Sequence, residues 1–284
     1  MATPTSVIAE RGVCPIRTAG CLIIGDEVLG GKIADTNSHF MARFCFELGI
    51  ELMRIEVIRD NEGEIIEAVR RMSNAYDLVV TSGGIGPTHD DITFAAVAKA
   101  FDLDLMVHPV ALERMKSWLQ SLRPDTPVDE ESPKFKALLR EINIPVDSRR
   151  PLEEQAIFNL EDSYSPVPVV NGNIHMLPGV PSWYERLLDG LKPYILPRLD
   201  SEAGKIHRVL ISTPLPESEV SLFLEGFAKR VEADDIKVGS YERTGYKNNT
   251  VTLVGRHLDQ LERLVPEVEK GVNGRRVMTE GEDD

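Results

Sequence analysis

Apolar and polar positions alternate in blocks from Thr18 to about Asp200. Cys21 to Ile24 form a short apolar run, and between Asp35 and Leu48 the residues Phe40, Met41, Phe44, Cys45 and Leu48 recur at helical spacing on one face. Leu52, Ile55 and Val57 predict the next strand, and Ile65, Ile66, Val69 and Met72 a second amphipathic helix. Leu78 to Val80 is the kind of run found in a parallel strand covered on both faces. Ile92, Ala95, Ala96, Ala100 and Phe101 then predict a helix, as do Met115, Trp118, Leu119 and Leu122. Arg123 to Pro133 is acidic and broken by proline, hence an exposed loop. Ile174 to Leu177 predict a strand, and Trp183, Leu187, Leu188 and Leu191 the helix after it. This alternation predicts an α/β sandwich, a sheet flanked by helices.

From Lys205 the order changes to strand, helix, strand, strand, helix, strand, at about 206–212, 217–230, 236–241, 249–255, 258–270 and 275–278. That is the split βαβ order of a smaller ferredoxin-like α+β domain. The expected division is a flexible tail over 1–17, a catalytic domain over 18–200 and the ferredoxin-like domain over 201–284. The last carries no acid, histidine or cysteine cluster suited to catalysis. Packing or oligomer contact is its expected role, and a homo-oligomer the expected assembly.

With 284 residues, 42% of them hydrophobic, the chain can bury substantial cores. A net charge of -14 argues against a general nucleic-acid grip, so the expected partner is a small-molecule nucleotide rather than nucleic acid or membrane. Cys14, Cys21 and Cys45 have no metal-ligand spacing and leave one unpaired in any disulfide scheme. A reducing, cytoplasmic location follows as the expectation, and Cys45, on the Met41 and Leu48 face, reads as core. No apolar run approaches the roughly 20 residues needed to span a bilayer. The first 17 residues lack the apolar block of a secretory signal.

The most informative stretch is Leu78 to Thr93, LVVTSGGIGPTHDDIT. A buried-strand pattern meets a turn in which Gly83, Gly84 and Gly86 are expected to take positive φ and free main-chain N–H groups for phosphate oxygens, with Ser82 and Thr88 beside them. A helix is expected to follow at once and point its positive end at the turn. Adjacent Asp90 and Asp91 would repel phosphate unless a divalent cation lies between them, since such ions are held by one or two carboxylates plus substrate oxygens. The plainer alternative is that one aspartate caps the helix and the other sits in its first turn. Because ligands bind beyond the carboxyl ends of such strands, Gly25 to Leu29 and Thr81 to Asp91 should meet in one crevice. Pro178, Gly179 and Pro181 also follow a strand, and form either its other wall or a plain proline turn.

Two familiar phosphate motifs are refused. In Gly25 to Ile33 the lysine falls one position late and Ile33 replaces the hydroxyl residue of a P-loop. The GGIG turn lacks the third glycine of a dinucleotide fingerprint. No glycine-led, glutamate-rich Nudix helix is present either.

Three segments together, GDEVLGGKIADTN at Gly25 to Asn37, TSGGIGPTHDD at Thr81 to Asp91 and MLPGVP at Met176 to Pro181, resemble the molybdopterin-binding (MoaB/Mog) fold. The closest likeness is to its CinA-like branch, including the FAD hydrolase domain at the start of animal FAD synthase. The resemblance implies a three-layer sandwich over about residues 18–200. Adenylyltransferases of this fold usually carry an arginine before the aspartate of the glycine motif, where this chain has His89, Asp90 and Asp91, which favours the CinA-like form.

That branch implies metal-dependent splitting of a dinucleotide pyrophosphate. The first expectation is FAD giving FMN and AMP; the alternatives are ADP-ribose as substrate, or a molybdopterin- or nucleotide-binding module without turnover. With no room for a nicotinamide-nucleotide deamidase or FAD-synthesising domain, the expected form is a stand-alone hydrolase. The implied catalytic residues are Asp90, Asp91 and Asp26. Metal ligation falls to Asp90, Asp91, Asp35 and Glu27, for Mg²⁺, Mn²⁺ or Co²⁺ with or without a monovalent cation. Substrate contacts fall to Ser82, Gly83, Gly84, Gly86, Thr88, Asn37, Pro178 and Gly179. Asn37 is as well suited to bracing the first helix, and His89 to being a plain exposed side chain.

Overall fold

The structure, a computed structural model, describes residues 12–200, 204–243 and 245–283. It consists of two compact units, Met1–Phe46 with Ile50–Asp200, and Glu47–Gly49 with Ser201–Asp284.

In the first unit, β1 (Thr18–Ile24) leads through a single short turn, α1 (Asp26–Leu29), into α2 (Asn37–Leu48) and β2 (Glu51–Ile58). Then come α3 (Glu62–Ala75), β3 (Leu78–Ser82), α4 (Thr93–Phe101), β4 (Asp104–Val107), α5 (Pro109–Leu122), α6 (Pro133–Leu138) and β5 (Asn143–Val146). β6 (Ala156–Ile157), β7 (Val167–Val170), β8 (Ile174–Leu177), α7 (Pro181–Gly190) and α8 (Lys192–Ile195) complete it. The main sheet has the order β2-β1-β3-β8-β7-β6. β2, β1, β3 and β8 are parallel, so Ile58, Ile24, Ser82 and Leu177 all end at one edge. β7 returns antiparallel to β8, making the sheet mixed.

β3 is buried along its whole length, as its unbroken apolar run requires of a strand covered on both faces. One core contains Leu22, Ile24, Ile65, Val69, Met72, Val79 and Val97, uniting the strands with α3 and α4. On the other face Met41, Phe44 and Cys45 of α2 are buried with Tyr184, Leu187 and Leu188 of α7. Burial raises the thiols of Cys21 and Cys45 to about 12, so both are inert core residues.

Two expectations need correction, at the tail and at the start of α4. Of the tail over 1–17, residues 1–11 lie outside the described residues, and the chain is already fixed before Thr18: Ile16 is buried, and its amide donates to the Arg198 carbonyl at 2.7 Å. The middle, where the sequence pattern is itself less regular, departs from simple alternation of strand and helix. β4 and β5 pair as a separate antiparallel ribbon, and the 3-10 turn Leu139–Ile142 precedes β5. These elements are too short to print a periodicity, and α6 begins at Pro133, the last residue of the stretch read as loop. Finally, α4 does not begin with the paired aspartates; it starts at Thr93, after a loop.

The second unit runs β9 (His207–Thr213), α9 (Glu217–Val231), β10 (Lys237–Tyr241), β11 (Asn249–Gly255), α10 (Leu258–Gly271) and β12 (Arg275–Val277). Its antiparallel sheet has the order β10-β11-β9-β12, the ferredoxin-like arrangement that its element order predicts. Val209, Ile211, Val251 and Leu253 pack there against Val220, Phe227, Leu261 and Val268. No helix of the described residues is long and apolar enough to cross a membrane.

Candidate functional site

The three segments singled out in the sequence converge where β1, β3 and β8 end. The Asn37 side-chain amide donates to Ser82 Oγ and to the Gly179 carbonyl, both at 2.9 Å, and so ties the start of α2 to the ends of β3 and β8. Gly83 donates its amide to the Leu177 carbonyl at 3.1 Å. With φ of 108°, it leaves its Cβ position 2.0 Å from the Ile24 carbonyl oxygen, a gap only glycine tolerates. The same position on Gly179 would lie 3.2 Å from the Gly83 Cα. The Pro178–Gly179 turn is therefore a wall of the crevice, with Pro178 half-buried.

Thr93 organises the glycine turn from behind. Buried at the first position of α4, it donates its hydroxyl to the Gly83 carbonyl at 2.9 Å and its amide to the Gly84 carbonyl at 3.1 Å. Gly84 has φ of 62°, and its Cβ position would lie 2.1 Å from the Thr93 hydroxyl. The glycine there answers to Thr93 and to its own backbone. Gly86 does not share the positive φ expected of it; its Cβ position would instead meet the Asp91 carboxylate at 2.6 Å. Among the described residues no acceptor takes the amide protons of Gly84, Ile85 or Gly86. Three donors thus remain available to an anion in this turn.

The aspartates divide their work. Asp91 Oδ2 accepts from the Thr88 amide at 2.8 Å and the Thr88 hydroxyl at 2.6 Å, closing the loop on itself. The Thr88 hydroxyl is thereby bonded to Asp91, and it also holds the Asp90 carboxyl below the usual range. Asp90 is exposed, as is His89, whose Nδ1 lies 3.9 Å from Asp90 Oδ1. Neither aspartate caps α4, since its N-cap is Ile92 with no side-chain bond.

A further carboxylate went unnoticed in the sequence. Asp60, two residues past the end of β2, accepts the Asp26 amide on Oδ2 at 2.9 Å. Partial burial pushes its carboxyl up from the usual range; the Asp26 amide opposes this, and the negative charges of Glu27, Asp26 and Asp90 add to it. Glu27 folds back so that its carboxylate oxygens lie 2.9 Å from the Cβ position of Gly25. Asp35 instead accepts from the Ser38 amide at 3.0 Å, bracing the start of α2. The signal for Asp60 was present in the rule that ligands sit beyond parallel strand ends, applied to β1 and β3 but not to β2.

Asp26, Glu27, Asp60 and Asp90 offer hard oxygen donors, and their mutual repulsion at Asp60 is what a cation would relieve. Among the described residues, however, no three His, Cys, Asp or Glu side chains come close enough to form a metal cage. The residues fit a hydrated divalent ion that takes its remaining ligands from water and substrate phosphate, the usual habit of Mg²⁺.

This is an α/β domain with a crevice at the carboxyl edge of a mainly parallel sheet. Residues 20–200 match the model of the probable molybdopterin binding domain family, and the chain belongs to that family. It is 34% identical over 231 residues to a probable FAD synthase of Caenorhabditis briggsae, covering 79% of this chain and 43% of that protein. It is also 34% identical over 232 residues to a probable FAD synthase of Caenorhabditis elegans, covering 79% of this chain and 44% of that protein. The chain therefore spans less than half of these relatives. The CinA protein of Thermoplasma acidophilum, a solved structure, is 31% identical with a TM-score of 0.53, covering 63% of this chain and 98% of that one. A CinA-like, molybdopterin-binding fold is thus shown.

Proposed function

We propose that this chain is a metal-dependent hydrolase that splits the pyrophosphate of a dinucleotide, FAD to FMN and AMP. The observation that carries this is the Asp60 carboxylate lying 3.3 Å from the Cβ position of Gly84, beside a glycine turn whose amides have no acceptor among the described residues. Anion donors and cation ligands stand side by side, the pairing that a phosphoanhydride and its metal require. The relatives named probable FAD synthase favour a flavin nucleotide over ADP-ribose.

In this reading the amides of Gly84, Ile85 and Gly86 take phosphate oxygens. Asn37 and Ser82 hold the strand ends that shape the crevice, and Asp91 keeps the Thr88–Asp91 loop closed. One or two carboxylates from among Asp90, Asp26, Asp60 and Glu27, with water and substrate oxygens, would hold a divalent ion, which would neutralise phosphate charge and lower the pKa of water. Asp90 is exposed, the Thr88 hydroxyl and its own amide hold its carboxyl below the usual range, and in this reading its carboxylate accepts the proton of the attacking water. The oxygen of that water joins one phosphorus as the bridging P–O bond breaks, so the two products leave as monophosphates.

The test is product analysis after incubating the protein with FAD or ADP-ribose and Mg²⁺, Mn²⁺ or Co²⁺, with and without EDTA. FMN and AMP formed only with metal are expected. AMP from ADP-ribose but not FAD would shift the substrate. Bound nucleotide without product under every metal would replace the hydrolase by a binding module.

A further inference from the structure

We propose that Arg140 is a substrate-binding residue of this crevice, a fixed cation that takes phosphate oxygens of the dinucleotide. The proposal rests on the pyrophosphatase reading above. Arg140 is exposed on the 3-10 turn Leu139–Ile142, and its Nη1 donates to the Thr88 carbonyl at 2.6 Å. Thr88 opens the loop that carries Asp90 and Asp91, so the guanidinium is hooked onto the rim of the candidate site.

The turn bearing Arg140 is anchored. The Glu141 carboxylate accepts from the Tyr164 hydroxyl at 2.6 Å, and the Glu141 carbonyl from the Ser165 hydroxyl at 3.2 Å. Ile142 is buried, and its carbonyl accepts the His108 amide at 2.9 Å. The neighbouring acid is held by a tyrosine and forms no ion pair with Arg140; burial, with the charge of Asp91 adding to it, raises its carboxyl above the usual range.

Charge makes the position informative. Arg71, Arg149 and Arg186 of the same unit each pair with a carboxylate. Among the described residues no carboxylate pairs with Arg140, whose one acceptor is a neutral carbonyl. In a chain of net charge -14 this is an uncompensated cation beside an acidic crevice. A guanidinium has five N–H donors in a planar fork, and the Thr88 contact leaves most of them for phosphate, its preferred partner. A diphosphate entering between Asp26, Glu27, Asp60 and Asp90 needs positive charge fixed at the entrance in addition to a mobile metal ion.

The competing role is a brace that merely holds the Thr88 carbonyl. Titrating ADP, with Mg²⁺ present, into the wild type, Arg140→Lys and Arg140→Met over a range of salt concentrations separates the two. A lost ionic contact weakens binding and also flattens its salt dependence, whereas a lost brace weakens binding and leaves that dependence as it was. For Arg140→Met we expect affinity lower by roughly 10- to 100-fold, the range of a charge-assisted hydrogen bond, with a flatter salt response. Arg140→Lys should recover part of both, and circular dichroism and melting should show all three proteins folded. Unchanged affinity in Arg140→Met, or weaker affinity with the wild-type salt response, overturns the proposal. A wild type that binds no ADP and cleaves no dinucleotide overturns the pyrophosphatase reading and this proposal together, whereas an active wild type with an indifferent Arg140→Met overturns this one alone.

Discussion

The carboxylate of Asp60 accepts the backbone amide of Asp26 across a gap of 34 residues, joining the end of β2 to the turn that follows β1. Two acidic residues are thereby held together at a sheet edge where Glu27 and Asp90 add further negative charge. Burial first, and this crowding after it, raise the cost of ionising Asp60 in the fold, a combination found at functional carboxylates.

Asp60→Asn should therefore separate stability from activity. The folded pKa of Asp60 is raised above its unfolded value, so its contribution to stability is fully present below the unfolded pKa and is lost as pH rises through the folded one. At neutral pH the wild type carries the penalty, and Asp60→Asn should melt slightly higher than the wild type. Hydrolysis should fall by roughly 10²-fold, the scale of losing a group that takes part in proton or metal handling. Lower melting with normal turnover would make Asp60 a structural link.

Asp90 and Asp91 should respond differently despite being neighbours. Asp90→Asn should lower turnover by roughly 10²-fold with no change in melting, because the side chain is exposed. Asp91→Asn keeps an acceptor for the two Thr88 donors and should retain most activity, whereas Asp91→Ala opens the loop and should lose both activity and stability. If Asp91→Asn proves as inactive as Asp90→Asn, the charge of Asp91 matters to the chemistry and its bracing role is secondary.

These contrasts show where the sequence was legible. The apolar runs of β1, β3 and β8 and the periodic faces of α2, α3 and α7 announced themselves because burial on both faces or on one stripe dictates residue type. The same holds for the element order of the second unit. The Gly25, Thr81 and Met176 segments could be placed together because parallel strands share one carboxyl edge. What remained hidden depends on long-range side-chain contacts. Thr93 looks like any first-turn threonine until its hydroxyl meets Gly83, and Arg140 lies in a stretch of short helices and turns with no period. The glycines misled in part, because Gly83 and Gly84 are demanded by Ile24 and Thr93, neighbours that a ligand-based reading does not consider. A Gly84→Val test of phosphate binding is accordingly confounded by strain, and Thr93 is the better probe.

Thr93→Val keeps the shape of the side chain and removes its hydroxyl, leaving the buried Gly83 carbonyl without that donor. A stability loss of about 1–3 kcal/mol is expected in denaturant unfolding. Nucleotide affinity should fall as well, because the glycine turn loses its support. Thr93→Ser restores the donor and should recover both. A serine variant no better than the valine would assign the effect to packing.

His175, in the middle of β8, is buried, and its Nδ1 has no hydrogen-bond partner among the described residues. Desolvation, with Arg198 adding to it, lowers its pKa to about 4. A histidine kept neutral in the fold contributes stability above its unfolded pKa, near 6.5, that is lost progressively as pH falls from there toward 4. The wild type should lose stability over that window, and His175→Gln should show a flatter profile. Parallel profiles for the two proteins would locate the acid sensitivity elsewhere.

Asn37 offers the sharpest test of how the crevice is built. Its amide nitrogen spends both protons on Ser82 Oγ and the Gly179 carbonyl, while its buried Oδ1 has no partner among the described residues. Asn37→Asp keeps the size of the side chain but sets a carboxylate oxygen against the Gly179 carbonyl. Two acceptors then face each other in a buried position, at an expected cost of about 1–3 kcal/mol. The added negative charge also lies behind the turn that is to receive phosphate, so ADP should bind more weakly than the stability loss alone explains. Melting temperatures measured with and without ADP separate the two effects. Destabilisation with a normal ADP-induced shift would confine Asn37 to holding β3 and β8 together, whereas loss of the shift in a protein still folded at the assay temperature would make it part of the nucleotide site.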